Sequence, residues 1–290
     1  MLSHRYRDSG VLDVEGADRV LFLQGQLTQD VQIVKPGDVR PAAGLTPKGK
    51  LLYVARLCGL SDRLRLLVPA AVRARVTAHL NKYAVFQKVT VSDRSADWLR
   101  VGLYGGPWPE GGPQGAQRLP GEGEFSAELL VPASLRPALE SWLGQAGSLP
   151  PAPERAEALR VAAGRPRFGV DMDETNLPDE VNLEPAISRT KGCYVGQEIV
   201  ARLSTYGRVN RRLVGFRFPG GPIPAGARLS NPDEAADRKI EWGRVTSSAD
   251  SAAFGPIGLG FAFRDVALGS RLVWPEDPSR PAVAAGLPFA

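Results

Sequence analysis

After about Arg208 the sequence changes character, and that change constrains the fold more than any other feature. Beyond it the apolar residues come in short runs broken by Gly and Pro: Leu213 to Phe218, Ala227 to Leu229, Ile240 to Val245, Leu259 to Phe263 and Arg271 to Trp274. Runs of that length and spacing predict a small all-β barrel or sandwich. Before it, helical and strand patterns alternate. Val20, Leu23, Leu27, Val31 and Val34 follow Asp18 at helical spacing, with Gly25 a local cost inside the helix. Leu51 to Leu60 and Arg63 to Val68 predict strands, and Val72, Val76, Leu80 and Tyr83 a second helix. Val85 to Val91 and Trp98 to Tyr104 read as strands, and Gly105 to Glu124 as a long irregular insertion. Leu135, Leu139 and Trp142 predict a helix ended by Gly147; Leu149 to Pro153 forms a seam, and a further helix runs from Pro153 to Arg160 before Gly164 and Pro166.

At 290 residues the chain exceeds what one core usually organises, so two or three domains are expected. With 43% hydrophobic and 23% charged residues it has the composition of a folded protein. No apolar run approaches the roughly 20 residues of a membrane span, and Met1 to Arg5 is followed by no secretory apolar stretch, so the expectation is cytoplasmic. Two cysteines, Cys58 and Cys193, exclude a disulfide scaffold. With His4, expected at a loose terminus, and His79 they form no zinc or four-ligand cluster set, and neither histidine has a partner that would make it a general base. The net charge of +5 and a pI near 9.4 favour anionic partners, whether phosphate backbones or small polycarboxylates.

The densest chemistry lies in Arg189-Thr190-Lys191-Gly192-Cys193-Tyr194-Val195-Gly196-Gln197-Glu198. Gly192 and Gly196 permit unusual backbone conformations or close approaches, and the amides opening the helix that follows favour anions. Cys193 sits in that setting within a few residues of Arg189 and Lys191, which would favour its thiolate; the alternative is an inert buried cysteine. From Arg189 to Arg212 six cations, with Lys191, Arg202, Arg208 and Arg211 among them, face a single acid, Glu198. Tyr206, Trp242 and Phe263 are candidate aromatic walls or core residues. Gly255 to Gly260 is glycine-rich among strands and reads as a turn, and no phosphate loop or dinucleotide fingerprint occurs.

Lys191 to Glu198 resembles the signature of the YgfZ group, folate-binding iron-sulfur maturation proteins within the aminomethyltransferase (glycine-cleavage T-protein) superfamily. Phe22 to Val31, Leu45 to Gly49, Arg165 to Asp171 and Asn182 to Glu184 agree with it in order. The resemblance implies an α+β, three-lobed aminomethyltransferase-like fold around a folate cavity. Residues 1–48 and 150–207 would form the first lobe, 49–149 a second α/β lobe and 208–290 a C-terminal β-barrel. It implies tetrahydrofolate or a one-carbon derivative as ligand, with Glu184 the pterin carboxylate and Arg211 or Arg212, aided by Arg189 and Tyr206, at the folate. A carboxylate matches the adjacent N–H donors of a pterin. Cys193, with Lys191 beside it, would be the reactive group, framed by Gly192, Tyr194, Gly196, Gln197 and Glu198. Iron-sulfur assembly or client proteins are the implied partners.

Where the aminomethyltransferases carry aspartates after the loop equivalent to Lys48-Gly49, this chain has Lys50-Leu51-Leu52-Tyr53-Val54-Ala55. A tyrosine with an ordinary pKa near 10 is a poor substitute for a carboxylate at neutral pH. The expected role is therefore folate-dependent maturation of clusters without aminomethyl transfer. A folate-dependent aminomethyltransferase or one-carbon transferase and an RNA-modification accessory protein are the alternatives, the last permitted by the basic stretch but supported by no RNA-binding motif.

Overall fold

The structure is a computed structural model that describes residues 3–105, 110–232 and 241–290. The strands of all three sheets pair antiparallel, with helices between them in sequence, an α+β arrangement. The chain divides into two units, the first comprising Met1–Pro150, Asp173–Pro178 and Leu183–Thr205, the second Pro151–Met172, Asp179–Asn182 and Tyr206–Ala290.

The first unit begins with β1 (Ser3–Tyr6), β2 (Ser9–Glu15), α1 (Arg19–Gln26), β3 (Val39–Leu45), β4 (Leu51–Gly59), β5 (Leu64–Pro69), α2 (Arg73–Ala84) and β6 (Thr90–Asp93). It continues with β7 (Trp98–Tyr104), β8 (Gln117–Pro120), β9 (Ala127–Pro132) and α3 (Arg136–Gln145). Two sheets result, in the orders β3-β4-β5-β2-β6 and β1-β7-β9-β8. Val11, Cys58 and Leu67 of the first meet Leu119 and Leu130 of the second in one buried cluster, and β4, whose burial alternates at its start, is buried throughout from Ala55 to Gly59. Within the same unit the fully buried Glu128 carboxylate collects Arg7, Arg56 and Arg100, with Arg100 Nε at 2.6 Å. Asp13 takes Arg65 in a fork of 2.6 and 2.8 Å, and Trp98 lies 4.1 Å beneath that guanidinium.

Several sequence expectations change here. The helix read to Val34 stops at Gln26, and Leu27 is already extended. Val85 to Lys88 form an exposed turn, the strand starting only at Thr90. His4 is not loose: it lies in β1, paired with Leu103 of β7, and Nδ1 is 3.0 Å from Ser148 Oγ. The insertion contains β8, whose Leu119 supplies the shared core, while residues 106–109 fall outside the described residues.

The second unit holds α4 (Pro153–Ala162) and six strands; α5 (Gln197–Tyr206), all but its last residue in the first unit, comes between them in sequence. The strands are β10 (Arg211–Arg217), β11 (Arg228–Leu229), β12 (Gly243–Ser251), β13 (Gly255–Phe263), β14 (Arg271–Val273) and β15 (Pro281–Ala285), in the order β11-β12-β13-β10-β15-β14. Ser230 and Val273 exchange two 2.9 Å main-chain bonds between the ends, so the sheet nearly closes, around Phe216, Phe218, Ile223, Val245 and Leu272. Gly255 to Gly260 is strand rather than turn: a Cβ at Gly260 would lie 2.0 Å from the Arg244 carbonyl across the ladder. Ile240 lies outside the described residues.

Candidate functional site

The early end of α1 makes a hub. Helix termini leave carbonyls without intrahelical partners, and the Lys191 ammonium donates to those of Gln24 (2.6 Å), Leu27 (2.6 Å) and Gln29 (3.0 Å). Burial pushes the Lys191 pKa down to about 8, with Asp30 pulling the other way. The three acceptors at a negative helix end also favour the ammonium, so the residue is charged at neutral pH. Next in sequence, the Thr28 hydroxyl donates to the Ala186 carbonyl (2.6 Å) and accepts the Ala43 amide, while the Ser188 amide donates to the Thr28 carbonyl. Gln29 Nε2 donates to the carbonyls of Pro41 and Pro185. These bonds clip the 184–188 segment to the hub and leave Glu184 exposed at the start of a short 3-10 turn, its carboxylate without a partner among the described residues.

The Lys191 to Glu198 signature is fixed at alternate points. The Tyr194 ring lies 4.8 Å from the Lys191 ammonium, and the Val195 amide donates to Gly25. Gly196 has φ +84°, and a Cβ there would come within 2.6 Å of the Thr46 carbonyl. Gly49, from the same Leu45 to Gly49 segment, packs against Ile199 in turn. Gln197 opens α5, and exposed Glu198 pairs with Arg202 at 3.0 Å. Between these anchors Cys193 is exposed, whereas Cys58 is buried and its thiol is pushed up to about 11 by desolvation. Two expectations are corrected. Lys191 spends its three donors on main-chain carbonyls and is no surface cation for the thiol, and Gly192 has nothing within 4 Å of a Cβ position. Arg189 is exposed.

Tyr53 answers the question of the missing carboxylate. It is only 1% exposed, its ring fills the space above Gly44, and its hydroxyl has no hydrogen-bond partner among the described residues. Burial pushes its pKa well above the ordinary phenol value. His79, 6.4 Å away ring to ring, has its pKa lowered by burial and by Lys82, so it is neutral at pH 7. Among the described residues no group of three or more His, Cys, Asp or Glu could hold a metal, and no helix is long and apolar enough to cross a membrane.

The remaining candidates belong to the second unit. Arg211 lies over the Phe261 ring (4.7 Å) with Nε 3.4 Å from Glu180, while exposed Arg212 reaches the Val266 carbonyl. Arg208 is exposed, and the Tyr206 side chain lies outside the described residues. Trp242 and Phe263 meet edge to face against the barrel core, the bland reading of both. The Arg165 to Asp171 segment ends in a clamp that sequence reasoning missed. Asp171 accepts Arg160 (2.7 Å), the Arg167 amide (2.9 Å) and the hydroxyls of Thr246 and Ser247, the last two at a bulge in β12. The only sequence signal was an arginine, Arg160, on an otherwise apolar stretch of α4.

No family model matches the chain. An uncharacterized Haemophilus influenzae protein is 31% identical over 83% of this chain and 81% of its own length. A protein of Serratia proteamaculans named tRNA-modifying protein YgfZ is 30% identical over 76% of this chain and 72% of its own. The crystal structure of the glycine cleavage system aminomethyltransferase T from Bartonella henselae superposes with a TM-score of 0.87 at 22% identity, covering 100% of this chain and 86% of that one, so the fold is that of the aminomethyltransferases. With its signature segment, its fold and these relatives together, the chain belongs to the YgfZ family.

Proposed function

We propose that this protein binds tetrahydrofolate or a one-carbon derivative and acts as a cytoplasmic accessory factor in assembly or repair of iron-sulfur clusters, without aminomethyl transfer. The observation that carries the reading is Glu184, an exposed carboxylate with no partner among the described residues, on a segment fixed by Thr28 and Gln29. That is the acceptor a pterin's paired N–H donors need. Arg211, Arg212 and Arg189 are the proposed cations for the folate carboxylates, and the three-lobe division around a folate cavity belongs to the same proposal. Buried, unionised Tyr53 argues against proton transfer at the carboxylate position of the parent reaction. Cys193, exposed on a segment anchored at both sides, suits transient contact with a cluster carried by a client protein, the cluster being cargo.

Titration calorimetry with tetrahydrofolate under reducing conditions tests the ligand. Charge-assisted hydrogen bonds contribute about 1.5–3 kcal/mol each, so Glu184→Ala is expected to weaken binding at least about tenfold; unchanged affinity removes Glu184 from the site. Cells lacking the protein test the role: Cys193→Ala is expected to bind folate and fail to restore cluster-enzyme activity. The relatives' name, tRNA-modifying, favours a second reading as an accessory to RNA modification. Restoration of tRNA modification by Cys193→Ala with cluster enzymes still inactive would support it.

A further inference from the structure

The turn joining α2 to β6 leaves outside what the sequence pattern would bury. Phe86 is 97% exposed, Val85 70% and Tyr83 47%. Mobility does not account for this, because the turn is built rigidly. The Gln87 amide donates to Ala84 and the Val89 amide to Gln87. The Lys88 amide donates to Asp18 Oδ2 at 2.8 Å, and the Asp18 amide donates back to the Lys88 carbonyl. Gly16, at φ +110°, lets that carbonyl approach so closely that a Cβ would lie 2.1 Å from it. A ring carried on a backbone fixed in this way has only its own side-chain torsions to lose on binding, which suits an interface anchor.

The turn's own charge has one sign. From Asn81 to Lys88 the chain carries Lys82 and Lys88, both exposed, and no acid, and the nearby Asp18 carboxylate is turned to the Lys88 amide. We propose that Tyr83, Val85 and Phe86 form a docking knob for a partner protein that offers an apolar pocket rimmed by carboxylates. A second copy of this chain fits poorly, since a two-fold contact through the knob sets its lysines against their own copies. A membrane fits poorly too, since one phenylalanine and one valine with two lysines fall short of the combined signals that stable anchoring needs. The proposal does not depend on folate binding.

The test uses the full chain in its own cells with a benzophenone amino acid in place of Phe86, and the same substitution at exposed Leu268 as control. Irradiation is expected to give a discrete adduct with another protein at position 86 and not at 268. The crosslinked peptide is expected to be apolar and flanked by Asp or Glu. Lys82→Glu/Lys88→Glu is expected to reduce the adduct at least tenfold while the denaturation midpoint of the purified protein stays unchanged. Four results overturn the proposal: an adduct of twice the chain's mass; an adduct insensitive to the double charge reversal; no adduct beyond the control; or sedimentation with vesicles of 70% neutral and 30% anionic phospholipid that Phe86→Ser abolishes.

Discussion

Replacing Lys191 by Met isolates the anchor of the signature segment, because it keeps the length of the side chain and removes only the ammonium. The wild-type group donates to the carbonyls of Gln24, Leu27 and Gln29 at 2.6, 2.6 and 3.0 Å. Hydrogen bonds to a charged group contribute about 1.5–3 kcal/mol each, so three amount to about 4.5–9 kcal/mol. Burial opposes this: the fall in pKa from 10.5 to about 8 corresponds to about 3 kcal/mol. The expected net loss is about 1–6 kcal/mol, centred near 3, read as a lower urea midpoint at unchanged slope. Cys193 sits two residues along the same segment, so its alkylation pattern is expected to lose its dependence on native anchoring. A stability within about 0.5 kcal/mol of wild type would refute the reasoning, since three buried carbonyls would then have lost their donor at no cost.

Gly196→Ala is expected to destabilise by about 1–3 kcal/mol, through its positive φ and the Thr46 carbonyl, and Gly192→Ala by less than about 0.5 kcal/mol, as judged by thermal unfolding. Glu128→Gln leaves Arg7, Arg56 and Arg100 around a neutral amide and is expected to cost about 3–5 kcal/mol in denaturant unfolding. Burial raises the pKa of Glu122, but Arg7, Arg100 and Arg56 outweigh it and hold the group below its ordinary value; Arg160 and Arg167 do the same against burial at Glu157. Stability from these pairs is therefore full above the unfolded value of about 4.3 and is lost as pH falls through the depressed folded values; a midpoint flat across that acid window would contradict it. Tyr53→Phe deletes a buried hydroxyl that has no partner among the described residues, so it is expected to leave stability unchanged or slightly raised, which calorimetry can measure.

Sequence alone determined the elements whose cause is local. The helices α2, α3 and α4, the strands β4, β5 and β7 and the β-rich C-terminal unit follow from apolar period, Pro at a helix start and Gly at a helix end. The signature segment and the absence of a carboxylate at Lys50 to Ala55 were equally legible, since both are matters of residue identity. Where a residue's partner lies far along the chain, only the tertiary structure decided. Helical spacing carried α1 to Val34, but just past Gln26 the Thr28 hydroxyl bonds to Ala186 and the carbonyls of Leu27 and Thr28 accept from Lys191 and Ser188, more than 150 residues on, and the helix ends there. Lys191 read as a cation beside a thiol because sequence distance to Cys193 is two residues, while its donors turn inward to another segment. Val85 and Phe86 fit a strand by pattern and stand exposed because Asp18 and Gly16 hold the turn's other end. Period and residue type report which groups can be buried; the direction of each side chain and the satisfaction of each carbonyl depend on segments that meet only in the folded chain.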